Sequence, residues 1–223
     1  MANNPYFASR VEAGKSLAER LSDISNTDVT VLAVSEGSVI VAAQIASKLH
    51  CLITLIMTKA IGLPDGLTTI GTIADSGKFT INKSISIGAL EDLMIEYQGT
   101  IELSKLAALH DMHVLGGKNN LLDKKFFRNK TVIVVSDGVK HGNLFQAAAD
   151  YLHDIKIKKL ILATPICSVE AVDRLHIIAD RLEIIRAVPM FFTTSHYYAN
   201  NNLPSNEKIL DYIENIVNNW PVV

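Results

Sequence analysis

The chain has 223 residues, of which 48% are hydrophobic and 20% charged, and its formal net charge is -2. That length holds one large α/β domain with a sizeable core, and the composition excludes a disordered chain. A near-neutral balance argues against a general nucleic-acid binder or an anionic-membrane binder, while leaving room for a local basic site.

The opening MANNPYFASR has no apolar signal core, so secretion is not expected and a cytoplasmic location is. Residues 9–22 place Val11, Leu17, Ala18 and Leu21 near one helical face. VTVLAV (29–34) is a continuous apolar run, as in a strand covered on both faces. After Gly37, SVIVAAQIASKL reads as a helix and CLITLIM (51–57) as the next buried strand, a βαβ unit that implies a parallel sheet. Residues 60–88 alternate small polar and β-branched residues between glycines. They predict short antiparallel strands near 69–75 and 78–82, turned at Ser76-Gly77.

A helical region follows from about Leu90 to Leu115, with Gly99 as an interruption, and its stripe of Leu90, Leu93, Met94, Ile101, Leu103, Leu106 and Leu109 reads as core or a dimer face. Residues 116–125 form a polar connection. The alternation then resumes: strand 131–135, helix 143–153, strand 159–164, helix 168–180 and strand 183–187. The tail holds FFTTSHYY (191–198), an Asn-rich turn, and a last helix reaching about Asn219, capped by Ser205.

One domain over 1–223 is expected, a mostly parallel twisted sheet with helices on both faces, an antiparallel and helical excursion at about 60–120, and a hood-like C-terminal segment from about 188. Strand 131–135 belongs near the sheet centre. Cys51 and Cys167 lack metal or CxxC spacing and read as buried thiols. His110 and His113 lie at helical i,i+3 spacing, but no carboxylate or cysteine pattern joins them, so a surface pair is the expectation and no metal ligand is assigned.

The chemistry-bearing stretch is VIVVSDGVKHG (132–142): a strand, an acid, and a glycine-bounded loop leading into a helix. At the carboxyl end of a parallel strand this is where ligands bind, and free N–H groups at the helix start favour a phosphate. Asp137 would accept hydrogen bonds from sugar hydroxyls, or else cap the following helix.

This stretch resembles the diphosphoribose motif of the type I phosphoribosyltransferases, in particular the broad group of uncertain substrate, whose form is commonly DDGIATGAT. Ser136, Asp137, Gly138, Val139, Lys140, His141, Gly142, Asn143 and Leu144 stand at those places. FASRVEAGKSLAERL resembles that group's opening helix, LAVSEGSVIVAAQIA its pyrophosphate loop, IGTIADSG its IGAVAEDG, and PICSVEAVDRL the helix after its fourth strand. The resemblance implies phosphoribosyl transfer with Mg²⁺, a phosphoribosyl or nucleotide ligand, and a site built from Asp137, the 136–143 loop, Glu36, Gly37 and Lys59, with Asp137 as the catalytic residue.

The departures bear on that implication. Ser136 replaces the first acid, so the ribose diol keeps one carboxylate. His141 and Leu144 replace the loop threonines, and Lys140 and His141 add potential positive charge. Glu36 stands where the group has Arg; an acid about 4 Å from a pyrophosphate oxygen costs on the order of 4 kcal/mol at an effective dielectric of 20. Lys59 is followed by Ala60, leaving one cation where the group tends to have Arg-Lys. Two readings follow. One is an enzyme of altered substrate. The other is a non-catalytic nucleotide- or phosphate-binding module, regulatory or scaffolding, that keeps the monophosphate cradle. A homodimer is expected in either case.

Overall fold

The computed structural model describes residues 6–24, 28–116 and 124–203, together with 208, 209 and 213. Five strands, β1 (Val29–Ala33), β2 (Leu52–Leu55), β6 (Thr131–Val135), β7 (Lys159–Ser168) and β8 (Arg181–Val188), form one parallel sheet in the order β2-β1-β6-β7-β8. The apolar run TVIVV becomes the middle strand, with Val132 to Val135 fully buried. A β-branched run of this kind suits a strand covered on both faces.

On one face, α1 (Arg10–Arg20) and α2 (Glu36–Leu49) bury Leu17, Leu21, Val41 and Ile45 against Val31, Ile133 and Ile161. The two helices approach closely at Gly14, where an added Cβ would lie 2.8 Å from Gln44. On the other face, α5 (Asn143–Leu152) and α6 (Val169–Leu175) pack Phe145, Ala148 and Leu175 over Val132, Val134 and Leu162. Each of these helices sits in its expected position, and α1, α2 and α6 are opened by serine caps at Ser9, Ser35 and Ser168.

The excursion is a separate antiparallel sheet, β3 (Thr58–Gly62), β4 (Thr69–Ala74) and β5 (Phe79–Ile81), with α3 (Ile87–Glu96) and α4 (Gln98–Gly116) on it. Strand β3 was not expected from the sequence, because its exposed and buried positions do not alternate cleanly. The turn that creates it is nonetheless legible in Pro64-Asp65-Gly66: Asp65 Oδ1 accepts from the N–H groups of Leu67 and Thr68, both at 3.0 Å, and Gly66 takes φ +69°. The helical break falls at Tyr97, just before the position suggested by Gly99.

Much of the apolar stripe is hidden here. Leu90, Ile101, Ala108 and Met112 are buried against Ile61, Ile70 and Ile73. Leu103 and Leu106 stay 70% and 63% exposed. His110 lies on α4, and the side chain of His113 lies outside the described residues.

Two further boundaries moved. Strand β7 runs on past Pro165 to Ser168, because beyond Pro165 it pairs with β8 on one side and with the 138–142 loop on the other. That leaves α6 shorter than expected, ending at Leu175. The expected last helix from Ser205 lies almost wholly outside the described residues. No helix among the described residues is long and apolar enough to cross a membrane.

Both cysteines are buried, and burial pushes each thiol up to about 12. At pH 8 the thiolate fraction is then about one in ten thousand. Native protein should therefore resist a thiol-specific reagent at pH 8 and label at both positions on unfolding in urea. Rapid native labelling at either position would contradict the buried placement.

Candidate functional site

The carboxyl ends of β1 and β6 place the N-terminus of α2 beside the loop that follows β6, and Asp137 stands between them. Its carboxylate does not project freely. Oδ2 accepts from Arg10 Nε at 2.7 Å, with the two side chains 5% and 11% exposed, and Oδ1 accepts from Ser35 Oγ at 3.3 Å. Gly37 makes this possible, since a Cβ there would lie 2.2 Å from Asp137 Oδ2. The Arg10 guanidinium lies 4.6 Å from the Tyr198 ring centroid, and the Tyr198 hydroxyl donates to the Asp137 carbonyl at 2.5 Å. Burial and the Asp137 charge both push the Tyr198 hydroxyl's pKa well above its ordinary value.

Arg10 was missed in the sequence, though a signal existed. It is a cation in the first turn of α1, where the helix dipole disfavours positive charge unless an anion compensates.

The rest of the loop divides. Ser136 is fully buried and turned inward: its hydroxyl donates to the Gly138 carbonyl at 3.0 Å and accepts from the Gly138 N–H at 3.3 Å. Val139 packs into the core, its N–H donating to Ile166 and its carbonyl accepting from Ser168. The N–H groups of Gly138 and Val139 are thus spent inside the protein. Among the described residues, those of Lys140, His141, Gly142 and Asn143 meet no acceptor. Gly142 takes φ +78° at the start of α5, and no side chain caps that helix.

The motif therefore opens into two cavities. The larger, about 330 Å³, is lined by Ser35, Glu36, Gly37, Lys59, Asp111 and Asp137 among others. Glu36 is exposed at the first position of α2. Lys59 Nζ is bound by Asp111 Oδ2 of α4 at 2.5 Å, and that contact holds the Asp111 carboxyl below its usual range. The smaller, about 190 Å³, lies at the start of α5 and is lined by Lys83, His141, Gly142, Asn143, Gln146 and Arg174.

His141 Nδ1 is buried without a hydrogen-bond partner among the described residues. Burial lowers its pKa first, the Lys140 and Arg174 charges add to that, and Glu170 opposes. Lys83, Arg174 and Asp111 carry no local sequence signal; tertiary placement alone brings them to the motif.

Three of the four C-terminal aromatics are core. Phe191, Tyr197 and Tyr198 are buried, and only Phe192 is exposed, beside His196. This segment seals the loop: a Cβ on Gly138 would lie 2.8 Å from Thr194.

Among the described residues no group of three or more His, Cys, Asp or Glu side chains could hold a metal. Of the carboxylates in the larger cavity, Asp137 is bound to Arg10 and Asp111 to Lys59. Glu36 is the remaining carboxylate of that lining, so a Mg²⁺ there would depend largely on oxygens brought by a phosphate ligand.

A Thermus thermophilus protein of known crystal structure superposes with a TM-score of 0.69, covering 96% of this chain and 98% of that one at 21% identity. Two Mycobacterium tuberculosis proteins, named by inference as phosphoribosyl transferases, are 25% identical over 213 residues. The match takes in 93% of this chain and 46% of theirs, so the chain spans about half the length of the curated relatives it matches. The model of the phosphoribosyl transferase domain matches residues 8–199, and the chain accordingly belongs to that family.

Proposed function

We propose that this chain binds a ribose 5-phosphate or nucleotide-type ligand, with the phosphate received at the start of α5. The observation that carries this is the small basic cavity. Lys83 and Arg174 line it beside the first turn of a ten-residue helix, and Gly142 in its left-handed conformation leaves the N–H groups of 140–143 without protein acceptors among the described residues. Backbone donors at a helix N-terminus together with nearby cations suit a phosphate. Asp137, Ser35 and Gly37 then bound the sugar side of the ligand in the larger cavity.

Phosphoribosyl transfer is the second reading, supported by the family model and by the retained Asp137. Mg²⁺ would enter it only as the companion of a diphosphate, and Glu36 opposes that group. The exposed Ile95 on α3 and Leu103 and Leu106 on α4 supply apolar area for the homodimer we propose for this region.

Calorimetric titration with ribose 5-phosphate tests the binding reading. Gly142→Ala strains the backbone at φ +78° and pushes toward Leu175, 3.2 Å from the added Cβ. This variant should bind at least about tenfold more weakly than wild type, the effect of disturbing one or two phosphate contacts. Equal affinity in the two proteins, or no binding by wild type, would overturn the reading.

A further inference from the structure

We propose that Asp111 is a specificity-determining residue of the larger cavity. By pairing with Lys59 it withholds the cation that a pyrophosphate group would need, so that this cavity takes an uncharged or cationic hydrogen-bonding group instead. The inference rests on the binding reading above for the statement that a ligand's phosphate goes elsewhere, to the start of α5.

The geometry supports it from several sides. Lys59 lies on β3 and Asp111 lies toward the end of α4, so the contact at 2.5 Å joins two elements across the cavity they both line. Both side chains are about half exposed, 48% and 51%, which puts the pair where the cavity meets solvent and where an entering group encounters it first. The remaining charged groups are carboxylates: Glu36 at the first position of α2, and Asp137 against Arg10. With Lys59 matched by Asp111 and Arg10 matched by Asp137, Glu36 leaves the lining with a net negative balance.

A polyanion entering here meets repulsion that no cation in the described lining offsets. Met57, Met112 and Leu203 complete the wall with apolar surface. A sugar face or an amine satisfies such a lining, whereas a pyrophosphate does not. The smaller cavity differs: Arg174 there is paired with Glu170 of its own helix, while Lys83 meets only the Gln146 amide and the N–H groups of 140–143 meet no acceptor among the described residues. The two ends of one motif thus differ in charge balance, with Lys83 and backbone donors at one and Glu36 at the other.

The test is titration of the full chain with inorganic pyrophosphate and, separately, with ribose 5-phosphate, both free of divalent metal. Asp111→Asn keeps the size of the side chain and releases Lys59. It should raise pyrophosphate affinity about tenfold, the weight of one partly exposed charge acting on a multiply charged ligand, and change ribose 5-phosphate affinity by clearly less, since that ligand's phosphate goes to the start of α5. Adding Lys59→Gln to Asp111→Asn should abolish the gain, which a change in folding alone would not reproduce. Should Asp111→Asn fail to fold, Asp111→Ser takes its place with the same expected result.

Pyrophosphate binding unchanged in the single variant, or a gain that survives loss of Lys59, overturns the proposal. Failure of ribose 5-phosphate to bind any of the proteins would overturn the binding reading instead. The pyrophosphate comparison would still decide the role of Asp111.

Discussion

Replacing Arg10 with methionine should destabilise the fold by about 3 to 5 kcal/mol, because it leaves the buried Asp137 carboxylate without its cation. At this chain length that corresponds to a fall in melting temperature of roughly 8 to 15 °C. The pair is not a surface ornament: the side chains are 5% and 11% exposed, and the contact is 2.7 Å. It also ties the start of α1 to the ligand loop and, through the Tyr198 ring and hydroxyl, to the C-terminal segment. Removing both partners together, as Arg10→Met with Asp137→Leu, should recover much of the loss, since no buried charge then remains unpaired. Urea denaturation of the two single variants and the double variant measures this. A loss under about 1 kcal/mol for Arg10→Met would show that the pair is solvated in solution.

Glu36→Arg should raise affinity for phosphoribosyl diphosphate by about one to three powers of ten, the range given by an exposed and a partly shielded charge about 4 Å from a phosphate oxygen. Affinity for ribose 5-phosphate should change far less, because Glu36 lines the larger cavity and not the one at the start of α5. Titrations of wild type and variant with both ligands in the presence of Mg²⁺ separate the two effects. Equal gains for both ligands would mean a general change in surface potential, and a gain below about twofold for the diphosphate would mean that Glu36 does not face it.

The sheet was legible because burial on both faces leaves an unmistakable record: VTVLAV and TVIVV are apolar without alternation, and each is followed by a helix opened by Ser35 or Gly142. Strand β3 was hidden because an edge strand of a small sheet needs few buried positions, and Thr58 to Gly62 buries only Ile61. The site was half legible. Asp137, Gly37 and Gly142 could be read from the motif, and the structure adds a physical reason for each glycine: close approach to a carboxylate at Gly37, a left-handed turn at Gly142.

The partners that decide the behaviour of Asp137 and Lys59 could not be read, because Arg10 is 127 residues from Asp137 and Asp111 is 52 from Lys59. Ser136 shows the converse limit. Its place in the motif suggested a residue facing ribose, whereas its hydroxyl closes a two-residue turn with Gly138.

Whether a phosphate sits at the start of α5 is decided by a crystal structure of the complex with ribose 5-phosphate. Phosphate density is expected within hydrogen-bond distance of the N–H groups of residues 140–143, flanked by Lys83 and Arg174, with the Arg10–Asp137 pair intact. Phosphate density against Lys59 and the start of α2, with the 140–143 loop empty, would contradict that placement.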